Sequence, residues 1–335
     1  MSLELLTIGS CTLDCIIDIE DILRFELLKE DEVKKYTAIE YSKKLNIENL
    51  RFFPGGSAAN IACDCAMMKI PSSFIGMIGK DFSAKMCLDD MENRGVDISH
   101  INQTEKDRTA FSVILKTKWG KDRSILAYKG ANDLVSPEDI NQNLFENIKA
   151  FAWTSLTKEK SCEAVEKCIK LTKEKGGKVF GAPSMSIIKN NPKWADVLIS
   201  NSDIISLNKE EAQSYTRKTD TIHMIKVLID KGLDLVAITN GSNGSVLSDG
   251  KKVINSGVYD VSVEDMTGAG DAFMSGIIVA TLNKYNLDKT SKFAAALGAF
   301  EARETGVREG IPSNFDMVED FIEKNPLEQV MTELK

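Results

Sequence analysis

The chain is predicted to be an α/β protein: a doubly wound, mostly parallel sheet flanked by helices, with a small β-rich lid. Three observations carry that expectation. Short apolar runs (FAWTSL, KVFGAP, DIISL, LVAIT) alternate with longer stretches of helical period, the pattern of repeated β–α units. Glycine-rich turns stand directly before two apolar helical runs, at PGGSAAN and TGAGDAF. Two segments, about 15–53 and 107–130, break the alternation and read as lid insertions in a single domain spanning 1–335.

Taken in order, LELLTIGS is a strand ending in a Gly-Ser turn, and CIIDI extends it or forms a neighbour. Asp18 to Asn49 is densely charged and reads as helical. SAANIACDCAMMK (57–69) is a helix after the glycine pair, and SSFIGMIG a strand ending at Gly79. DFSAKMCLDDMENRG is an amphipathic helix stopped by Gly95. TAFSVILKTKWGKDRSILAYKG is a β-hairpin, two alternating runs around a Gly-containing turn. CEAVEKCIKLTKEKGG is a helix with a glycine stop, GSVLS a further strand, and the last fifty or so residues read as helical.

Composition narrows the function. The net charge of −8, with no long Lys/Arg block, argues against a nucleic-acid partner. No apolar run reaches the roughly 18 residues of a membrane span, and the N-terminus shows strand rather than leader pattern, so a cytoplasmic protein is expected. Seven cysteines, an odd number without C-x-x-C, fit reduced thiols rather than disulfides or zinc. The two histidines, His100 and His223, have no nucleophile or carboxylate motif beside them. The chain has neither a Walker P-loop nor G-x-G-x-x-G after its first strand.

DMTGAGDAFMSG, Asp265 to Gly276, is the most informative run. A glycine turn opening a helix leaves backbone N–H groups unpaired and pointing one way, and the helix dipole adds partial positive charge. Gly268, Ala269 and Gly270 thus form an anion hole suited to a phosphoryl group in flight. Asp271 beside it is placed to accept a proton from an attacking hydroxyl. Taken alone, GAG also fits an ordinary helix start with an acidic first-turn residue.

Four other runs carry polar groups in suggestive places. In FPGGSAAN, Gly55 and Gly56 let backbone approach a ligand, and Asn60 lies one helical turn on. Asp14 follows the first strand, where ligands of open α/β sheets collect; it also fits a solvated turn acid. In NKEE, Asn208 and Glu211 offer oxygens to Mg²⁺ or its water shell, or form a capping arrangement. In TNGSNGS, Thr239, Gly241 and Gly244 make a nest for phosphate or a plain hairpin turn.

Together these strings resemble the PfkB (ribokinase-like) family of ATP-dependent sugar and nucleoside kinases, from Gly9 to Ser313. The resemblance implies that Asp271 is the catalytic base and that the amides of 268–270 form the anion hole. It implies that Asp14, Gly55, Gly56 and Asn60 bind the hydroxylated acceptor, with Ser57 where ribokinase has a lysine. ATP contacts fall on Thr239, Gly241 and Gly244, and Mg²⁺ and phosphate binding on Asn208 and Glu211. It also implies a K⁺ site between the irregular stretch ETGVREGIPS (304–313) and Asp265 and Thr267, and a homodimer formed through the lid.

A sugar acceptor is expected, by transfer of the ATP γ-phosphate to its hydroxyl, with a nucleoside as the alternative. GKDRSILAYKGAND (120–133) resembles the sugar-kinase hairpin, and Lys129 there is either a charge at the pocket or a solvated lysine. The charged 20–50 segment and GAPSM (181–185) lean towards adenosine kinase, yet Ser184 stands where an aromatic would flank a purine. Phe25, Phe52, Phe53 and Trp119 are the aromatic candidates near the lid.

Overall fold

The computed structural model describes residues 3–19, 22–29, 32–117 and 123–334. Trp119 and Gly120 lie outside them. The chain begins with β1 (Leu5–Ile8), β2 (Thr12–Ile19), β3 (Leu23–Lys29), β4 (Glu32–Ala38) and β5 (Ile47–Gly55). Next come α1 (Ser57–Met67), β6 (Ser72–Gly79), α2 (Phe82–Asn93), β7 (Ile101–Thr104), β8 (Ala110–Thr117) and β9 (Arg123–Tyr128). The middle of the chain holds β10 (Ala150–Thr154), α3 (Glu159–Glu174), β11 (Lys178–Ala182), α4 (Met185–Asn190), α5 (Pro192–Ser200) and β12 (Ile204–Asn208). There follow α6 (Lys209–Thr216), α7 (Thr221–Ile229), β13 (Leu235–Thr239), β14 (Ser245–Ser248) and β15 (Lys252–Ser256). The chain closes with α8 (Ala269–Leu282), α9 (Leu287–Glu301), α10 (Phe315–Lys324) and β16 (Gln329–Glu333).

Ten strands form the main sheet, in the order β16-β15-β14-β13-β12-β11-β10-β1-β6-β7. From β13 to β7 every pairing is parallel, and the three at the other edge are antiparallel. One face is covered by α3 to α7 and the other by α1, α8, α9 and α10, so the sheet is doubly wound as expected. The helix α8 is apolar all round and buried from Ala272 to Ala280, which suits its place inside the α-layer. Burying each of Ile277 and Ile278 favours folding by roughly 2 kcal/mol. After β1 the chain builds outward to β6, and later returns to β10 on the other side. That reversal opens a crevice beyond the carboxyl ends of β1 and β10.

The second sheet, β5-β2-β8-β9, is the small β-rich lid sheet expected from the broken alternation. Its boundaries show that CIIDI leaves the main sheet rather than extending β1.

Two local expectations are corrected, and one short strand is added. None of the described residues of the charged segment 18–49 is helical. Leu23, Phe25 and Leu27 alternate with Arg24 and Glu26, a period of two that the charge density masked, and β3 and β4 pair as an antiparallel hairpin. The last fifty residues are not all helical, because Gln329–Glu333 adds a strand to the edge at β15. The connection after His100 forms the short edge strand β7. All seven cysteines are free and buried. No helix among the described residues is long and apolar enough to cross a membrane.

Candidate active site

Two helices start at the crevice. Gly56 caps α1 at φ 96°, and a Cβ there would fall 2.5 Å from the Ser10 carbonyl oxygen, so only glycine lets α1 start against the turn after β1. The Ser10 hydroxyl accepts from the Ser57 N–H at 2.9 Å and fixes that contact. Gly268 caps α8 at φ 81°. A Cβ there would lie 3.1 Å from Glu301 Oε1, whereas a Cβ on Gly270 would meet open space. The GAG turn is therefore backed by protein at Gly268 and open at Gly270.

The starts of α1 and α8 meet through side chains. Asn60 Nδ2 donates to Asp271 Oδ2 at 2.6 Å. Burial pushes the Asp271 carboxyl above the usual carboxylate range, and hydrogen bonds from Asn60 and Ser57 and the Arg308 charge pull it back. The Asn60 oxygen accepts from Arg308 Nε at 2.7 Å, so the amide has one orientation, its nitrogen towards Asp271.

Arg308 is 2% exposed and has φ 79°. Its guanidinium also donates to Asp90 Oδ2 at 2.5 Å and to the Gly55 carbonyl at 3.1 Å. Glu301 holds the same loop, accepting from the Arg308 N–H at 2.6 Å and the Gly310 N–H at 3.2 Å. Burial pushes the Glu301 carboxyl up to about 7. A buried arginine with a charged partner and several acceptors is positioned, not merely neutralised.

Asp14 stands on β2 opposite Phe53 of β5, and its carboxylate crowds Gly55, where a Cβ would lie 2.7 Å from Asp14 Oδ2. Asp14, Gly55, Gly56, Asn60 and Asp271 are thus one constellation. Phe53 packs on Gly306 of the 304–313 loop. Phe25 stacks on Tyr36 within the β3–β4 hairpin, and both Phe25 and Phe52 are exposed. Lys129 is exposed and precedes the 3₁₀ turn Gly130–Leu134.

Asn208 and Thr239 pair at the adjacent ends of β12 and β13. NKEE is a capping box: Asn208 Oδ1 accepts from the Glu211 N–H, and Glu211 Oε2 from the Asn208 N–H, each at 2.9 Å. Glu211 Oε1 also accepts from the Met185 N–H at 3.2 Å. Burial raises the Glu211 carboxyl, and the nearby Asp271 charge adds to that. TNGSNGS is the β13–β14 hairpin turn, closed by the Asn240 N–H on the Gly244 carbonyl at 2.8 Å. Both structural readings of these strings hold, and both strings start at the carboxyl ends of adjacent parallel strands, β12 and β13.

At the turn before α8, Asp265 Oδ1 accepts from the Thr267 N–H at 3.0 Å and its hydroxyl at 2.6 Å. Its Oδ2 takes the Lys116 ammonium at 2.6 Å. Asp265 and Thr267 therefore do not fit the K⁺ role that the resemblance implies. A second monocation about 4 Å from that ammonium would be repelled by about 4 kcal/mol at an effective dielectric of 20.

Lys116, Glu301 and Arg308 were not singled out by sequence. The available signal was strongest at Glu301, a charge between Phe300 and Ala302; Lys116 and Arg308 each follow an apolar residue but precede polar ones.

The fold, the GAG turn and the carboxylate at its mouth define a phosphotransferase with an alcohol group as acceptor. Residues 4–314 match the pfkB family carbohydrate kinase, and the chain belongs to that family. It is 29% identical over 282 residues to a ribokinase of Haemophilus influenzae, covering 82% of this chain and 89% of that protein. It is 27% identical over 280 residues to an ATP-dependent 6-phosphofructokinase of Thermoanaerobacterium thermosaccharolyticum, covering 82% and 86%. The structure of Arabidopsis thaliana ribokinase complexed with ribose and ATP shares the fold, with a TM-score of 0.79 at 23% identity, covering 96% of this chain and 99% of that one.

Proposed function

We propose that this kinase transfers the ATP γ-phosphate to a hydroxyl of a sugar, with Asp271 as the base. The observation that carries this is the Asp271 carboxylate, held by Asn60 at the open mouth of the GAG turn. The acceptor oxygen bonds to phosphorus as the bond to the β-phosphate oxygen breaks, and Asp271 takes the hydroxyl proton. The amides of Gly268, Ala269 and Gly270 receive the charge that develops on the phosphoryl oxygens. Asp14, Gly55, Gly56 and Asn60 hold the acceptor, and Lys129, an exposed cation before the Gly130–Leu134 turn, serves an anionic one.

Thr239, Gly241 and Gly244 contact the triphosphate. Asn208 and Glu211 fit Mg²⁺ held through water, since their capping box leaves further lone pairs on their side-chain oxygens. When bound, Mg²⁺ neutralises triphosphate charge.

The second sheet supports pairing of two copies. Register places Phe52, Cys15, Val113 and Leu126 in one row across it, with Phe52 and Leu126 exposed at its edges. A dimer is expected by light scattering.

The acceptor is tested by ADP release with ribose, fructose, fructose 6-phosphate, 2-keto-3-deoxygluconate, adenosine and cytidine. A sugar is expected to give the highest kcat/KM. A nucleoside ahead by about tenfold or more would overturn the sugar assignment.

A further inference from the structure

The Asp265 carboxylate poses an electrostatic problem. Its side chain is 1% exposed, and it stands three residues before Gly268, where the anion hole begins. Lys116 and the two Thr267 donors hold it below the usual carboxylate range against the opposing effect of burial, so it is charged at neutral pH. A buried negative charge beside a site for phosphate works against phosphate unless a cation balances it.

The balance comes from the second sheet. Lys116 lies on β8, four residues past Ser112, which pairs with Asp14 on β2. Strand alternation therefore puts Lys116 on the same sheet face as Asp14, the residue at Gly55. On that face Asp18 is the register partner of Lys116, and it is itself paired with Arg51 at 3.1 Å. The Lys116 ammonium reaches Asp265 Oδ2 at 2.6 Å and is 25% exposed.

We infer that the Lys116 ammonium serves as a resident cation at the turn before α8, standing where a diffusible K⁺ would otherwise be required. Two consequences follow. The enzyme needs no monovalent cation for turnover. The ion pair also ties the second sheet to the turn that shapes the anion hole, so one lysine serves both charge balance and attachment.

The experiment compares wild type, Lys116→Met and Lys116→Met/Asp265→Asn in KCl, NaCl and choline chloride at matched ionic strength. Melting temperature is read first, because a bound ion stabilises the folded state whether or not the enzyme turns over. Wild type is expected to melt alike in all three salts. Lys116→Met is expected to melt lower in choline and to recover by about 2 °C or more in KCl. The double variant, with neither charge, is expected to lose that salt response.

Turnover is read with the acceptor chosen by the screen above, and this arm alone rests on the kinase assignment. Wild type should show equal rates, and Lys116→Met a loss of roughly tenfold or more in choline that KCl partly restores. Higher melting or faster turnover of wild type in KCl than in choline overturns the inference. So does a folded Lys116→Met that is indifferent to KCl. If Lys116→Met does not fold, the wild-type comparison alone decides.

Discussion

The Asn60 amide donates to Asp271 Oδ2 across 2.6 Å, although 211 residues separate the two in the chain. The bond joins the first turn of α1 to the first turn of α8. Arg308 takes the other end of the same amide, so Asp271, Asn60 and Arg308 form one file of hydrogen bonds. Each link has a measurable consequence.

Asp271→Asn should keep the fold and ATP binding and lose kcat by roughly 10²–10⁴-fold, the usual cost of removing a general base. Steady-state kinetics and an ATP-dependent melting shift measure the two halves separately. A kcat within tenfold of wild type would exclude Asp271 as the base.

Removing the amide in Asn60→Ala takes away a bond that lowers the Asp271 pKa. The carboxyl should then hold its proton to higher pH. The acid limb of the kcat–pH profile is expected to move to higher pH, in addition to any loss of rate. A limb that stays in place while kcat falls would mean that Asn60 serves the acceptor alone.

Arg308→Met leaves Asp90 without its buried partner and takes the Arg308 donors from the Asn60 and Gly55 oxygens. The expected destabilisation is about 3–5 kcal/mol, read from urea unfolding. The double variant Arg308→Met/Asp90→Leu should recover part of it. Arg94 also binds Asp90, at 3.0 Å, so full recovery is not expected.

Glu301 should make stability fall with rising pH. Its carboxyl is pushed from 4.5 up to about 7 in the folded chain. Between those values the folded state binds more proton than the unfolded state, so stability decreases as pH rises through the window, by at most about 3 kcal/mol. The difference between Glu301→Gln and wild type should therefore turn in favour of the variant from pH 5 to pH 8. A difference that is flat with pH would place the titration elsewhere.

Glu211→Gln keeps an acceptor for the Asn208 N–H, since glutamine also completes a capping box, and removes only the charge. A normal melting temperature with a raised Mg²⁺ requirement is expected. An unchanged Mg²⁺ titration would assign NKEE to capping alone.

Sequence was enough for the parts whose information is local. Period-two and period-3.6 apolar patterns separated the parallel strands from their helices. The GAGD and PGG strings marked both helix starts at the crevice, because a tight turn before a helix imposes its residues at fixed offsets. Local pattern misled at 18–49, where charged residues alternating with apolar ones along a hairpin looked like a helix surface. It also missed β16, whose pairing partner β15 lies more than seventy residues earlier in the chain. What only the tertiary structure decided was which charges meet. Lys116 and Asp265 are 149 positions apart, and Arg308 and Asn60 are 248 apart. No periodicity in a chain encodes such distances; they follow from β2 and β8 leaving the main sheet and from the 304–313 loop folding back under α1. A carboxylate acquires its partner and its pKa only when the sheets have brought these groups together, because burial and charge act through space and not along the sequence.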